Sequence, residues 1–227
     1  MSETAPKIAC LLLAAGQGSR MGTQLANSKL LLPWQGTPII CHVLATALRV
    51  TALSSITVVL GHKADEVRQA LLAGQACGAS ARIQPDFVRN ELWQQGQSTS
   101  LVKGIQALMC MREQPGIAIV MLGDQPLLQA KTIELLLDRH QKTCAINKHH
   151  AVTVPVHKGQ RGNPAVLSAR IFPKLLGLTG DAGARSIFET LGENLVKVAV
   201  DDAGVVFDVD TPEGYNTLLG TVLKAVD

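Results

Sequence analysis

Aromatic residues, charges and paired cysteines are all scarce in this sequence, and each shortage removes a class of function. Phe, Trp and Tyr make up 3% of the 227 residues, too few for a stacking platform along a nucleic-acid strand. Charged residues are 17%, the net charge is only +3 and the basic side chains are scattered, which suits a small anionic ligand and not a polyanion. Cys10, Cys41, Cys77, Cys110 and Cys144 form no C-x-x-C pair, so zinc and thiol-redox chemistry have no signature. Cys10, Cys41 and Cys110 lie among apolar residues and read as reduced, buried thiols of a cytoplasmic protein. The apolar run over 8–15 is too short to span a membrane and is not built like a signal peptide. His42, His62, His140, His149, His150 and His157 show no metal-ligand spacing, and the adjacent His149-His150, in a polar stretch, reads as solvated. No Gly-x-Ser-x-Gly elbow or Cys/His nucleophile pair is present. Nucleic acid and membrane are therefore not expected partners.

What is present is alternation. Hydrophobic residues make up 47%, enough for a substantial core. Short apolar runs predict strands over 8–13, 56–60, 81–84, 117–121, 151–156, 165–167, 195–200 and 205–209. Periodic segments predict helices over 38–49, 63–73, 98–111, 130–143, 182–191 and 212–224. Thr37 and Thr211 read as N-caps, each followed by a proline suited to a first helical turn. The pattern implies a single three-layer αβα domain over 1–227 with a mostly parallel sheet. Its ligand site should lie where loops leave the C-terminal strand edge. The segment 157–182 is the least regular and is expected to form an accessory flap.

Chemistry-bearing residues sit at that edge. The first strand runs into Leu13-Ala14-Ala15-Gly16-Gln17-Gly18-Ser19-Arg20-Met21-Gly22, with Lys29 beyond. Small residues there let backbone N–H groups approach phosphate oxygens, and Arg20 and Lys29 add positive charge. A Walker A loop is excluded because Gly22 is followed by Thr23 and Gln24. A dinucleotide fingerprint is excluded because position 21 is Met and the second strand ends in Gly61, not an acid. Asp124, in Gly123-Asp124-Gln125-Pro126, follows another apolar run and is placed either to hold Mg²⁺ against phosphates or to cap the next helix. Asp208 and Asp210 would share one face of a strand and could complete a metal site, or open the last helix. Ser98 and Ser100 lead a helix, where their hydroxyls could bind a pyrimidine or ribose or simply cap.

The opening loop resembles that of nucleotidyltransferases of the glycosyltransferase-A-like α/β fold. The whole chain is similar to the molybdenum cofactor cytidylyltransferases, whose L-A-A-G-x-G-x-R-M-G and K-L-L-L-P-W patterns read here as Leu13 to Gly22 and Lys29 to Trp34. One departure is that Lys29 stands seven residues after Gly22, farther than the family's usual spacing. The resemblance implies transfer of CMP from CTP to the terminal phosphate of molybdopterin or its metal-loaded form, with release of pyrophosphate and Mg²⁺ as cofactor. It implies Arg20, Lys29 and Asp124 as catalytic residues and Ala14, Ala15, Gly16, Gly18, Gly61, Ser98 and Ser100 around the nucleotide. Arg161, Gly162, Asn163, Asp181 and Arg185 would meet the acceptor, and Asp124, Asp208 and Asp210 the metal. The family often has His where Asn163 stands. A molybdoenzyme or its chaperone is an implied partner. The alternatives are a cytidylyl-, uridylyl- or guanylyltransferase for another phosphorylated small molecule, and a non-catalytic cofactor-delivery chaperone.

Overall fold

A computed structural model describes residues 6–21, 28–76, 82–180, 188 and 190–223. Everything is organised around β1 (Ile8–Ala14), whose seven residues are all buried. Its neighbours are β4 (Ser55–Leu60) and β6 (Ile117–Leu122), both parallel to it. The strand is continuously apolar because both sheet faces are covered. Alternate side chains go to opposite layers. Cys10 and Leu12 join a cluster with α1 (Ile39–Arg49), α2 (Ala64–Ala76) and α4 (Ala130–Ile146). Leu11 and Leu13 join a second cluster with α3 (Gln97–Met109) and α5 (Phe172–Leu175).

Further strands are β2 (Pro33–Trp34) and β3 (Thr37–Pro38), a small hairpin, then β5 (Asp86–Arg89), β7 (Val152–His157), β8 (Gln160–Arg161), β9 (Ala165–Ser168) and β10 (Leu195–Ala199). The main sheet has the order β10-β7-β9-β6-β1-β4-β5, with β8 paired to β7. β9 runs antiparallel to both β6 and β7, while the β1, β4, β5 and β6 pairings are parallel. The last element among the described residues is α6 (Pro212–Leu223). Among the described residues no helix is long and apolar enough to cross a membrane.

The αβα layering and mostly parallel sheet match the sequence expectation, and several local expectations change. Within the segment expected to form an accessory flap, β9 is fully buried in the middle of the sheet. The strand expected over 81–84 lies at Asp86–Arg89 instead; Arg82 is occupied in donating to the carbonyls of Leu53 (2.8 Å) and Val50 (3.0 Å). No strand forms over 205–209. Asp202 accepts hydrogen bonds from the Gly204 and Gln129 amides and the Thr132 hydroxyl, which turns the chain at Ala203–Val205. Thr37 lies in β3 and does not cap α1, whereas the Thr211 hydroxyl accepts from the Gly214 amide at 3.1 Å and does cap α6. The helix expected over 182–191 falls mostly outside the described residues. Cys10 is buried, and that burial pushes its thiol up to about 12. Cys41 is half-buried and Cys110 is exposed, contrary to expectation.

The largest departure concerns His150. It is fully buried, with its ring 4.7 Å from that of His140. Ser168 Oγ donates to the His150 carbonyl and accepts from His140 Nε2 at 3.0 Å, leaving His140 Nδ1 facing Thr153 Oγ1 at 3.0 Å. A neutral His140 satisfies this network. Burial first, then the charges of His150 and Arg170, push its pKa down to about 3. The sign follows from linkage: the unfolded chain takes up a proton below about pH 6.5 while the folded ring does not. Stability is therefore intact above that pH and falls by about 1.4 kcal/mol per pH unit as acidity rises toward pH 3. Urea unfolding at several pH values should show that slope in the native chain and a shallower one in His140→Gln; identical slopes would contradict the assignment.

Candidate active site

Four neighbouring parallel strands, in the order β6-β1-β4-β5, deliver one loop each to the same edge of the sheet. β1 supplies the turn from Ala15 to Met21, β4 supplies Gly61 and His62, β5 leads to Trp93, and β6 ends in Gly123 and Asp124. The turn is held by backbone bonds from Met21 N–H to Gly18 C=O (3.0 Å) and from Gly123 N–H to Leu13 C=O (2.9 Å). Gly18 has φ +69°, a conformation that disfavours any side chain. A Cβ there would also sit 3.1 Å from the Lys29 stem, so the turn and the lysine are packed together. Asp208 and Asp210 arrive from far along the chain. Val209 between them is fully buried in a cluster with Met21, Ile39 and Leu218, and its amide donates to the Asp124 carbonyl at 3.0 Å.

Lys29 is the hub. It is 7% exposed, and its ammonium donates to both Asp124 Oδ2 and Asp210 Oδ1. Burial works to lower its pKa, but the two carboxylates outweigh burial and hold it above the ordinary lysine value. Asp210 shows the reverse balance: burial works to raise it, while the Lys29 hydrogen bond and charge, with Arg20 at 3.3 Å, hold it below the usual carboxylate range. Asp208 opens to the cleft and is pushed up to about 6, first by loss of solvent and then by the charges of Asp124 and Asp210. Three carboxylates thus face two cations, and the group still attracts positive charge.

The cleft has two lobes. The first, about 420 Å³, is lined by Ala15, Gly16, Gly18, Arg20, Lys29, Ser100 and Asp124. The second, about 650 Å³, is lined by Arg161, Gly162 and Asn163. Arg20, Asp208 and Asp210 border both lobes. Arg161 lies over the Phe188 ring at 5.6 Å, and the Asn163 amide donates to the Val205 carbonyl at 2.8 Å. A Cβ on Gly162 would come within 2.2 Å of that carbonyl, so only glycine fits. Most of the expected residues are therefore brought together, and Lys29 reaches the acids despite its longer spacing. Ala14 is buried beneath the turn. Gly61 and Ser98 do not line the first lobe; Ser98 is fully buried and its hydroxyl donates to the Gly180 carbonyl. Asp181 and Arg185 lie outside the described residues. Gln97 and Gln125 line the cleft from within the stretches around Ser98 and Asp124, and Trp93 lines it without having been anticipated. Trp93 could have been found as a tryptophan in an otherwise polar stretch of an aromatic-poor chain.

Among the described residues, no three His, Cys, Asp or Glu side chains form a ready metal cage. A divalent cation held by one or two of the carboxylates would complete its shell with water and substrate phosphates. Asp124 Oδ1 is buried with no hydrogen-bond partner among the described residues, an orphaned acceptor that a cation would satisfy.

Because Lys29 neutralises two carboxylates, Lys29→Met should destabilise the fold by about 3 kcal/mol, measured by urea unfolding at neutral pH. Adding Asp124→Asn to it should recover part of the loss, and an undiminished stability of Lys29→Met would remove the hub.

Comparison with known proteins agrees with this geometry. The MobA-like NTP transferase domain model matches residues 10–198. The nicotine blue oxidoreductase of Paenarthrobacter nicotinovorans is 29% identical over 216 residues, covering 94% of this chain and 97% of that protein. The bifunctional protein GlmU of Bacillus subtilis is 35% identical over 130 residues, 57% of this chain and 25% of GlmU, so the chain matches only about a quarter of that relative. The crystal structure of Rv0371c from Mycobacterium tuberculosis superposes with a TM-score of 0.74 at 26% identity, covering 96% of this chain and 99% of that one. The loop, the acids and the matched span agree, and the chain belongs to the MobA-like NTP transferase family.

Proposed function

We propose that this nucleotidyltransferase moves CMP from CTP onto the terminal phosphate of a molybdopterin-type cofactor and releases pyrophosphate. The observation that carries the reading is the Lys29 hub: one ammonium joins the glycine turn to Asp124 and Asp210 at the junction of two lobes. The triphosphate lies along the first lobe, where the turn's backbone N–H groups, Arg20 and Lys29 neutralise it. Asp124, with Asp208 or Asp210, would hold Mg²⁺, which supplies charge neutralisation and phosphate orientation when bound. The acceptor lies in the second lobe, with Arg161 as its cationic contact and Gly162 and Asn163 shaping the wall. Ser100 lies toward the nucleoside, and Ser98, through Gly180, positions the start of α3.

The acceptor's phosphate monoester is already largely dianionic at neutral pH, its second pKa being about 6. An oxygen of that dianion attacks the α-phosphorus in line. The new P–O bond forms as the bond to the β-phosphate oxygen breaks, and pyrophosphate carries away the electron pair. Positioning and charge neutralisation therefore suffice, with no general base. The Ala15 methyl, packed at the mouth of the turn, favours cytosine over guanine.

Two outcomes test this reading. Incubation with Mg²⁺, each NTP and, in separate reactions, molybdenum cofactor or a panel of sugar and polyol phosphates should give a cytidylyl conjugate of molybdenum cofactor by mass spectrometry; a guanylyl conjugate would overturn the base choice, and a conjugate only with a sugar or polyol phosphate would overturn the acceptor. Asp124→Ala should lower turnover by about 10²-fold or more, and near-normal turnover with Mg²⁺ would exclude Asp124 from the reaction.

A further inference from the structure

The strand order fixes a direction along the first lobe. Asp124 follows β6, the glycine turn follows β1, Gly61 and His62 follow β4, and Trp93 follows β5. Three strand intervals separate the ends, about 14 Å at the usual inter-strand spacing. The charged groups Arg20, Lys29, Asp124 and Asp210 sit at one end or over the centre. At the far end the only aromatic side chain lining this lobe among the described residues is Trp93. A nucleoside triphosphate has one anionic end and one flat π-surface, so once its phosphates lie on the Lys29 side, its base falls on the Trp93 side.

Trp93 is also held in place. Its ring lies 5.1 Å from that of His62, tilted by 56°. Behind it, Gly61 is enclosed: a Cβ there would meet the Ala15 Cβ at 2.7 Å, the Ala15 carbonyl at 2.8 Å and the Trp93 Cβ at 2.8 Å. The missing side chain at 61 is what allows the Trp93 loop to close against Ala15. Trp93 and Ala15 thus form one wall, built across three strand loops.

We propose that Trp93 is the platform on which the nucleobase stacks, and that Gly61 and His62 are positioning residues that set its distance from Ala15. This rests on the nucleotide-transfer reading and extends it. Base discrimination then belongs to the wall that Ala15 and Trp93 form together and not to the Ala15 methyl alone. Stacking on an aromatic face is tolerant of base identity, so the platform supplies affinity and the Ala15 side of the wall supplies selection.

The chain has two tryptophans, which makes fluorescence a direct readout. With Mg²⁺ and no acceptor, CTP should quench wild-type emission, and inorganic tripolyphosphate should bind without quenching. Equilibrium dialysis measures binding separately. Trp93→Phe should lose the quench and keep CTP affinity within a few-fold. Trp93→Ala should weaken CTP about tenfold and leave tripolyphosphate affinity unchanged. Equal quenching by tripolyphosphate, CTP binding with unaltered emission, or parallel loss of both ligands in Trp93→Ala would overturn the platform while leaving the nucleotide site standing. If dialysis shows that neither CTP nor tripolyphosphate binds the wild-type chain, the nucleotide reading itself falls, and the platform with it.

Discussion

A buried ammonium between two carboxylates is the constraint on which the site depends. Lys29 sits in a short helical turn seven residues beyond Gly22, Asp124 follows β6, and Asp210 lies beyond the last strand. Each would be costly to bury alone. Together they neutralise one another and draw three distant segments to one point. The apolar cluster of Met21, Ile39, Val209 and Leu218 supports the same convergence from below. Charge pairing fixes where the ends meet, and packing fixes the angle at which they do so.

That arrangement explains why the site lies at a junction. The turn after β1 and the acid after β6 are neighbours because their strands are paired in parallel, so both loops leave the same edge. The antiparallel β9 sits on the other side of β6 and leaves room for the Arg161–Asn163 segment beside the acids. One lobe therefore joins the glycine turn to Lys29 and Trp93, and the other sets Arg161 and Asn163 among apolar side chains such as Leu167 and Phe188. The carboxylates border both, where a group passing from one lobe to the other would cross.

Much of this was legible in the sequence. The turn at 13–22, the acids at 124, 208 and 210, and the arginine at 161 each announce themselves through short patterns beside apolar runs. Asp208 and Asp210 do border the cleft, but not for the local reason expected. No strand alternation aligns them; the buried Val209 between them acts as an anchor and leaves its neighbours facing the cleft. Ser98 and His150 were misjudged because both are polar residues in polar surroundings along the chain. Only the fold shows that Gly180 accepts the Ser98 hydroxyl and that His140 and Ser168 enclose the histidine.

By itself the sequence determined the class of fold, most of the strand and helix succession and the glycine turn that follows the first strand. Those depend on periodicity, turn chemistry and backbone freedom, which act over a few residues. The tertiary structure decided which groups meet. It selected Lys29 as the partner of two acids far from it in the chain, Ser100 and not Ser98 for the cleft, and Trp93 as the wall opposite the charges. Partner choice depends on strand order and on which side chains burial forces to neutralise one another, and neither is encoded in any local stretch of residues.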